Sequence, residues 1–312
     1  MAETTDRRLV VVVRPTRLDE LVARFNTIGQ AKFYVESLGG DFSDYLAEHE
    51  RYGDALRRTE EALREIGRVH RLQRAHVFNY LFGPTDIVVV LGQDGLVANT
   101  LKYLDGQAIV GVNPDPVRWD GVLLPFTPAD VGAAVRDHVG ARRQVREISM
   151  ARASLNDGQE LFAVNDFFVG PRSHVSARYV LALGDREERQ SSSGIIVSTG
   201  LGSTGWMRSL YAGWAGMSSA LLGEKPATED DGRFAWDARE LRFCVREPFP
   251  SRSSRAELVF GRIAGGESLR ITSLMPENGI IFSDGIEADR LAFNSGAIAT
   301  IGVAERRGLI VV

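Results

Sequence analysis

Uninterrupted apolar runs at residues 9–13, 87–91 and 108–112 carry the pattern of strands buried on both faces. Between them, residues 18–28 and 96–104 place apolar side chains at helical spacing, and 52–66 reads as a charged amphipathic helix with Leu56 and Leu63 on its apolar side. Val77 and Phe78 are read as a further short strand. An order of strand, helix, strand, helix, strand predicts a parallel sheet with right-handed crossovers. After about Pro128 the pattern changes. Residues 129–135 keep a helical spacing, but from Val145 onward short alternating runs dominate, at 179–183, 194–198, 241–245, 257–260, 269–272 and 279–282. Asn156-Asp157-Gly158 separates two such runs and is a hairpin turn by composition. One helical stretch, 206–222, interrupts this region, and 226–233 is a polar surface loop. The expected fold class is an α/β N-terminal domain with a Rossmann-like parallel sheet, residues 1–128, and a mostly antiparallel β-rich C-terminal domain, residues 129–312. The last residues are in a position to pack back on the first domain.

Composition narrows the partners. A chain of 312 residues with 44% hydrophobic and 25% charged positions has room for two ordinary cores, and it reads as a soluble globular protein. Its net charge of −4 argues against nucleic acid or an anionic membrane as a main partner. The one cysteine, Cys244, excludes an intramolecular disulfide framework and a multi-cysteine zinc site, and between Phe243 and Val245 it reads as a buried strand residue. No apolar stretch reaches the length of a membrane span and residues 1–6 are no signal peptide, so a cytoplasmic protein without a membrane partner is expected.

The chemistry concentrates in loops. Gly92-Gln93-Asp94-Gly95 follows a buried strand and precedes a helix, which sets a carboxylate at a tight turn with no bulky neighbour. With Arg14 and Asn113-Pro114-Asp115-Pro116 it falls at the carboxyl ends of the parallel strands, where open α/β sheets bind ligands. Asp115, between two prolines, reads as a turn cap; Asp94 does not, because a plain cap needs no flanking glycines. A second constellation runs from Ser198 and Thr199 through Gly200, Leu201, Gly202, Ser203, Thr204 and Gly205 to Trp206. Its glycines match G-x-G-x-x-G, but a dinucleotide-binding Rossmann unit requires a second parallel strand soon after the helix, and the next strand pattern begins near Leu241. It reads better as a glycine- and hydroxyl-rich loop at a helix N-terminus, with backbone N–H groups and the Ser203 and Thr204 hydroxyls facing a nucleotide. The bland alternative is a sharp turn with one of those hydroxyls as cap. Asn165-Asp166 is embedded in the apolar run 161–169; it is either a solvated edge pair or a partner for ribose hydroxyls. Arg246, Arg252 and Arg255 are phosphate candidates with a solvated loop as the competing reading. No two of the five histidines have metal-ligand spacing, and no metal site within the protein is expected.

Taken in order, these segments resemble the NAD kinase family, within the wider group that includes diacylglycerol and sphingosine kinases. Gly92-Gln93-Asp94-Gly95 is similar to the GGDG turn, Asn165-Asp166 to the Asn-acid pair, and Ser198 to Trp206 to the STPTGSTAY-like segment. Residues 111–116 resemble the GVNTDP segment of the mitochondrial type, and Arg246-Glu247-Pro248 and residues 293–299 its REP and FNDGAIA segments. The resemblance implies a two-domain architecture of that family, with a nucleotide-binding first domain, an NAD-binding second domain and the cleft at their interface. It implies transfer of the ATP γ-phosphoryl group to the 2′-hydroxyl of NAD, with Mg²⁺, by a homodimer or higher homo-oligomer whose only ligands are small nucleotides. In that scheme Asp94 is the catalytic base. Gly92, Gly95, Asn113, Asn165, Asp166, Thr199, Gly202, Ser203, Thr204 and Trp206 bind nucleotide. Three positions depart from the pattern: Gln93 stands where the family has glycine, Leu96 where it has a hydroxyl, and Leu201 where it has threonine. If position 93 requires a positive φ, its Cβ costs about 1–2 kcal/mol. These departures recommend, as alternatives, a catalytically impaired nucleotide-binding or regulatory protein of the same fold, or a kinase of another nucleotide or lipid hydroxyl. An NAD(P)-dependent oxidoreductase rests on the glycine pattern alone.

Overall fold

The computed structural model describes residues 4–223 and 232–312. Two compact units divide the chain, residues 1–146 with 309–312, and residues 147–308.

In the first unit, strands β1 (Arg8–Val13), β2 (Arg68–Gln73), β3 (Ile87–Leu91) and β4 (Ala108–Val112) pair in the order β2-β1-β3-β4, all parallel. β3 and β4 are buried along their whole length, as their apolar runs require. The helices are α1 (Arg17–Phe25), α2 (Ile28–Ser37), α3 (Phe42–Arg64), α4 (Asp94–Leu101) and α5 (Val131–Val139). Four differences from the sequence reading have local causes. The stretch 18–28 is not one helix, because Asn26 adopts φ 67° and ends α1 while Thr27 caps α2. The helix expected at 52–66 begins ten residues earlier, at Phe42, capped by Asp41. Val77 and Phe78 lie in a 3-10 turn (Arg74–Asn79); the strand is the preceding β2, whose polar sequence hid it because only Leu72 is buried there. The unit also continues past Pro128, since Val131, Ala134 and Val135 of α5 join Tyr52, Leu63 and the β-strands in one core.

The second unit is built from β5 (Val145–Leu155), β6 (Glu160–Ala163), β7 (Asp166–Pro171), β8 (Ala177–Leu183), β9 (Arg186–Ser192), β10 (Ile195–Ser198), α6 (Trp206–Leu222), β11 (Glu240–Val245), β12 (Phe260–Ala264), β13 (Leu269–Ser273), β14 (Gly279–Ser283), β15 (Ile286–Ala292) and β16 (Ile298–Val311). One sheet has the order β12-β11-β10-β7-β14-β15 and every pairing in it is antiparallel. A second antiparallel set runs β16-β13-β8-β9, with β5 on β16 and β6 on β5. Inward residues of both sets, among them Phe167, Tyr179, Phe243 and Ile271, form one core. The β5–β6 hairpin turns at Asn156-Asp157-Gly158, with Gly158 at φ 89°. The strand expected at 257–260 starts only at Phe260. Cys244 sits half-buried on β11, where burial pushes its thiol pKa up. The loop expected at 226–233 lies outside the described residues except for Gly232 and Arg233. At the end of the chain, Leu309 and Ile310 pair in parallel with Ala108 and Ile109 of β4.

Candidate functional site

In the first unit, the buried β3 ends at Leu91 and the chain turns through Gly92 and Gln93 straight into α4, so Asp94 occupies the first helical turn instead of preceding it. An acid there complements the positive end of the helix dipole. Its carboxylate accepts the backbone N–H of Leu123 at 2.7 Å and of Val122 at 3.3 Å. That turn reaches Asp94 because two glycines admit it. Gly111 on β4 faces the Leu123 carbonyl, which would lie 2.2 Å from an added Cβ, and Gly121 takes φ 61° against the Asn113 amide. Asn113 in turn donates to the Trp119 carbonyl at 2.8 Å and accepts from Asp115 N–H at 3.1 Å, so its amide shapes the loop after β4. Asp115 is paired with Arg51 at 2.9 Å, which fits its reading as a structural acid.

Behind the turn, the buried Tyr52 hydroxyl donates to Leu91 O and accepts from Arg14 N–H, both at 3.0 Å, and burial raises its pKa to about 12. Arg14 pairs with Glu48 at 3.0 Å; Arg17 pairs with Glu48 and, at 2.7 Å, with Asp44; Arg118 pairs with Asp44 at 2.8 Å. These three guanidiniums and two carboxylates form one ion-pair network beside the strand ends. The Arg118 and Arg17 hydrogen bonds hold the Asp44 carboxyl far below the ordinary range.

Gln93 is the departure on which the sequence raised a backbone objection. It has φ −121° and ψ 164°, ordinary extended geometry open to any residue. The 1–2 kcal/mol penalty is therefore not incurred here. Gln93→Gly is expected to lower stability by about 0.5–1 kcal/mol through added chain entropy. A rise in the urea midpoint would show instead that Gln93 is strained. Leu96 packs its side chain over Gly92, whose added Cβ would meet it at 2.8 Å, and Leu201 is 6% exposed.

In the second unit, β6 and β7 are separated by a bend at Val164 and Asn165, so the apolar run 161–169 is two strands and not one. Asp284 makes that break. It sits at φ 54° in the β14–β15 turn, followed by Gly285 at φ 72°, and its carboxylate accepts N–H groups from Val164 (3.0 Å), Asn165 (2.7 Å) and Asp166 (3.2 Å). The carbonyls of the same bend go to Thr199, whose hydroxyl donates to Val164 O at 2.6 Å and whose N–H donates to Asn165 O at 2.9 Å. Asp166 is 7% exposed, and burial followed by the charge of Asp284 raises its pKa to about 7.

The glycine-rich segment leaves β10, which pairs antiparallel with both β7 and β11; this disposes of the Rossmann fingerprint. Its glycines admit other backbone: a Cβ on Gly202 would lie 2.1 Å from Asn165 O, and one on Gly200 1.9 Å from Ala235 O. Gly202→Ala is expected to destabilise the protein by about 1–3 kcal/mol, read by denaturant unfolding, because backbone on both sides must shift. The Ser203 and Thr204 hydroxyls donate to Gly200 O (2.6 Å) and Leu201 O (3.0 Å) within a 3-10 turn, and neither caps α6, whose N-cap is Gly205. Trp206 opens α6 and stacks on Phe168 with centroids 5.8 Å apart and planes 7° apart, and the Arg246 guanidinium lies 5.5 Å from its ring centre. These three, with Phe282, Ser193 and His174, line a hollow of about 390 Å³. Arg246 thus faces a cavity wall. Among the described residues no group of three His, Cys, Asp or Glu side chains is arranged to hold a metal, and no helix is long and apolar enough to cross a membrane.

Over 97% of its length the chain matches 92% of an NAD kinase from Archaeoglobus fulgidus solved in complex with ATP, with a TM-score of 0.54 at 18% identity. The fold is that of an NAD kinase. In sequence the chain is 35% identical over 136 residues to the NAD kinase of Heliobacterium modesticaldum, a match covering 41% of this chain and 46% of that one. It is 32% identical over 130 residues to the NAD kinase of Cupriavidus pinatubonensis, covering 39% and 41%. It is 28% identical over 127 residues to that of Chlorobaculum tepidum, covering 40% and 44%. The chain thus spans less than half the length of the curated relatives it matches. No family model matches it.

Within this NAD kinase fold each unit gathers one group of the sequence candidates. Gly92, Asp94, Gly95 and Asn113 share the strand-end edge of the first unit. Asn165, Asp166, Thr199 and Gly202 are hydrogen-bonded or in contact in the second, with Ser203, Thr204 and Trp206 following on the same segment. Sequence reasoning missed Asp284 and the Gly111–Gly121 pair. Asp284-Gly285 between two strand patterns was the available signal, since that dipeptide favours a tight hairpin.

Proposed function

We propose that the protein is an NAD kinase-type phosphotransferase, which moves the γ-phosphoryl group of ATP to the adenosine-ribose 2′-hydroxyl of NAD and gives NADP and ADP. The observation that carries the reading is Asp94: a carboxylate between Gln93 and Gly95, started on a helix at a parallel strand end and held by two backbone N–H groups, in a chain with this fold and these relatives. Asp94 takes the proton of the 2′-hydroxyl as the O–P bond forms and the bond from the γ-phosphorus to its bridging oxygen breaks, with ADP leaving. A ribose alcohol is a weak nucleophile, so most of the rate comes from holding it in line and removing its proton. Asn165 and Asp166 hold ribose hydroxyls, Thr199 and Gly202 fix that pair from behind, and Trp206 with Arg246 offers a stacking face and a cation. Mg²⁺ would accompany the nucleotide phosphates and supply charge neutralisation there. A cytoplasmic homodimer or higher homo-oligomer is part of the same proposal.

The test is turnover. Purified full chain with ATP, Mg²⁺ and NAD is expected to form NADP, read with an NADP-specific dehydrogenase; parallel arms with polyphosphate and NADH fix the donor and acceptor. Absence of product from every pairing would reject the reading in favour of a protein that binds without turnover. No observation at Gln93, Leu96 or Leu201 favours that second reading: the first is unstrained and the other two pack inward.

A further inference from the structure

We propose that Asp284 is a positioning residue, which holds the Asn165-Asp166 pair in the conformation and charge state in which it receives ribose hydroxyls. This rests on the proposed function only for the identity of the ligand. The geometry is specific. Three successive backbone N–H groups converge on one carboxylate from a turn 118–120 residues away in sequence, and Asp284 N–H returns a bond to Asp166 O at 3.0 Å. One oxygen of Asp284, Oδ1, accepts all three, from Val164 (3.2 Å), Asn165 (2.7 Å) and Asp166 (3.2 Å); the other accepts Val164 again at 3.0 Å. The bend at Val164 and Asn165, just before β7 begins at Asp166, is held because these N–H groups are satisfied by the Asp284 carboxylate.

The same carboxylate acts through its charge. Desolvation of Asp166 and then the charge of Asp284 favour the protonated form of Asp166, so the two acids together set when Asp166 can accept a hydroxyl proton. The charged groups on the neighbouring strands, among the described residues, are these. β10 and β14, which flank β7, carry none. Arg242 on β11, in the row of Ser198 and Asp166, is held by Glu240 at 3.2 Å and by Gly232 O at 3.1 Å. Glu160 on β6 pairs with Arg152, and Glu287 on β15 lies 3.7 Å from Arg172, with Asp289 and Arg290 further along that strand.

Asp284→Asn separates charge from shape. Asparagine tolerates the positive φ, and its amide oxygen at Oδ1 keeps three of the four contacts. Asp284→Ala removes all of them. Carboxyl ¹³C NMR of the full chain, with the Asp166 signal assigned through Asp166→Asn, gives the titration midpoint without any ligand. Calorimetric titration with NAD at pH 6 and pH 8 gives the binding consequence. In the parent protein the midpoint lies near 7 and NAD binds about tenfold more weakly at pH 6 than at pH 8. In Asp284→Asn the midpoint falls and the ratio shrinks to about threefold or less, while Asp284→Ala loses at least about tenfold in NAD affinity at pH 8 with an unfolding midpoint still well above the assay temperature. An unmoved midpoint in Asp284→Asn overturns the inference. A moved midpoint in a protein that binds no NAD sustains the hold of Asp284 on Asp166 and rejects the proposed function instead.

Discussion

Asp94→Asn is expected to lower the rate of NADP formation at least about 100-fold, a loss of roughly 2.7 kcal/mol of transition-state stabilisation. Asparagine has nearly the same shape, and its amide oxygen can still accept the Leu123 N–H that reaches Asp94 at 2.7 Å. It cannot take a proton from the acceptor hydroxyl. The turn therefore persists and the chemistry stops. NAD affinity should change by less than about threefold, because the substitution removes an interaction made chiefly in the transition state. Equal losses in affinity and rate would instead assign Asp94 to ground-state binding. Retained rate would remove it from the mechanism.

Asp166→Asn is expected to stabilise the protein at pH 8. The unfolded carboxyl has the model value 3.8, and the folded one titrates at about 7, raised first by burial and then by Asp284. A raised folded pKa means that the folded state keeps a proton the unfolded state has released between those values. Stability is thus fully present below about pH 4, falls as pH rises toward 7, and stays reduced above it. The full reduction is on the order of 3–4 kcal/mol for a shift of about three units. Asparagine abolishes it, so urea unfolding at pH 8 should favour the variant by up to a few kcal/mol and show little difference at pH 4. The same substitution should weaken NAD binding, since a ribose hydroxyl loses its carboxylate acceptor. Stability exchanged for ligand recognition at one residue is what a functional site held against its own folding preference looks like. Identical stability of parent and variant at both pH values would contradict the burial and charge argument.

What the sequence revealed tracks where local pattern is enforced by local burial. Residues 9–13, 87–91 and 108–112 read as strands because sheet and helices cover both faces, and 206–222 read as a helix with its glycine-rich entry. β2 escaped because Arg68, His70 and Arg71 face solvent, so a parallel edge strand lost its apolar signature. The split of 161–169 escaped for a different reason: the bend is imposed by Asp284 from the turn after the neighbouring strand β14, and no short-range pattern encodes it. Asp94 and the Asn165-Asp166 pair stood out as candidates because an acid in a glycine-bearing turn and a polar pair inside an apolar run both violate the local rule. The supporting glycines were visible, but their task was not. Gly200 and Gly202 make room for Ala235 and Asn165 backbone, a long-range contact that composition cannot distinguish from close approach to a phosphate.

The fate of the γ-phosphorus of ATP separates a transferase from a hydrolase or a binding protein. Phosphorus-31 NMR of a reaction holding the full chain, ATP, Mg²⁺ and NAD follows that atom directly. The γ signal is expected to disappear into a phosphomonoester on the adenosine 2′-oxygen, with ADP formed in equal amount. Conversion of the γ signal to inorganic phosphate, or its persistence while NAD is bound, would contradict a transferase built around Asp94.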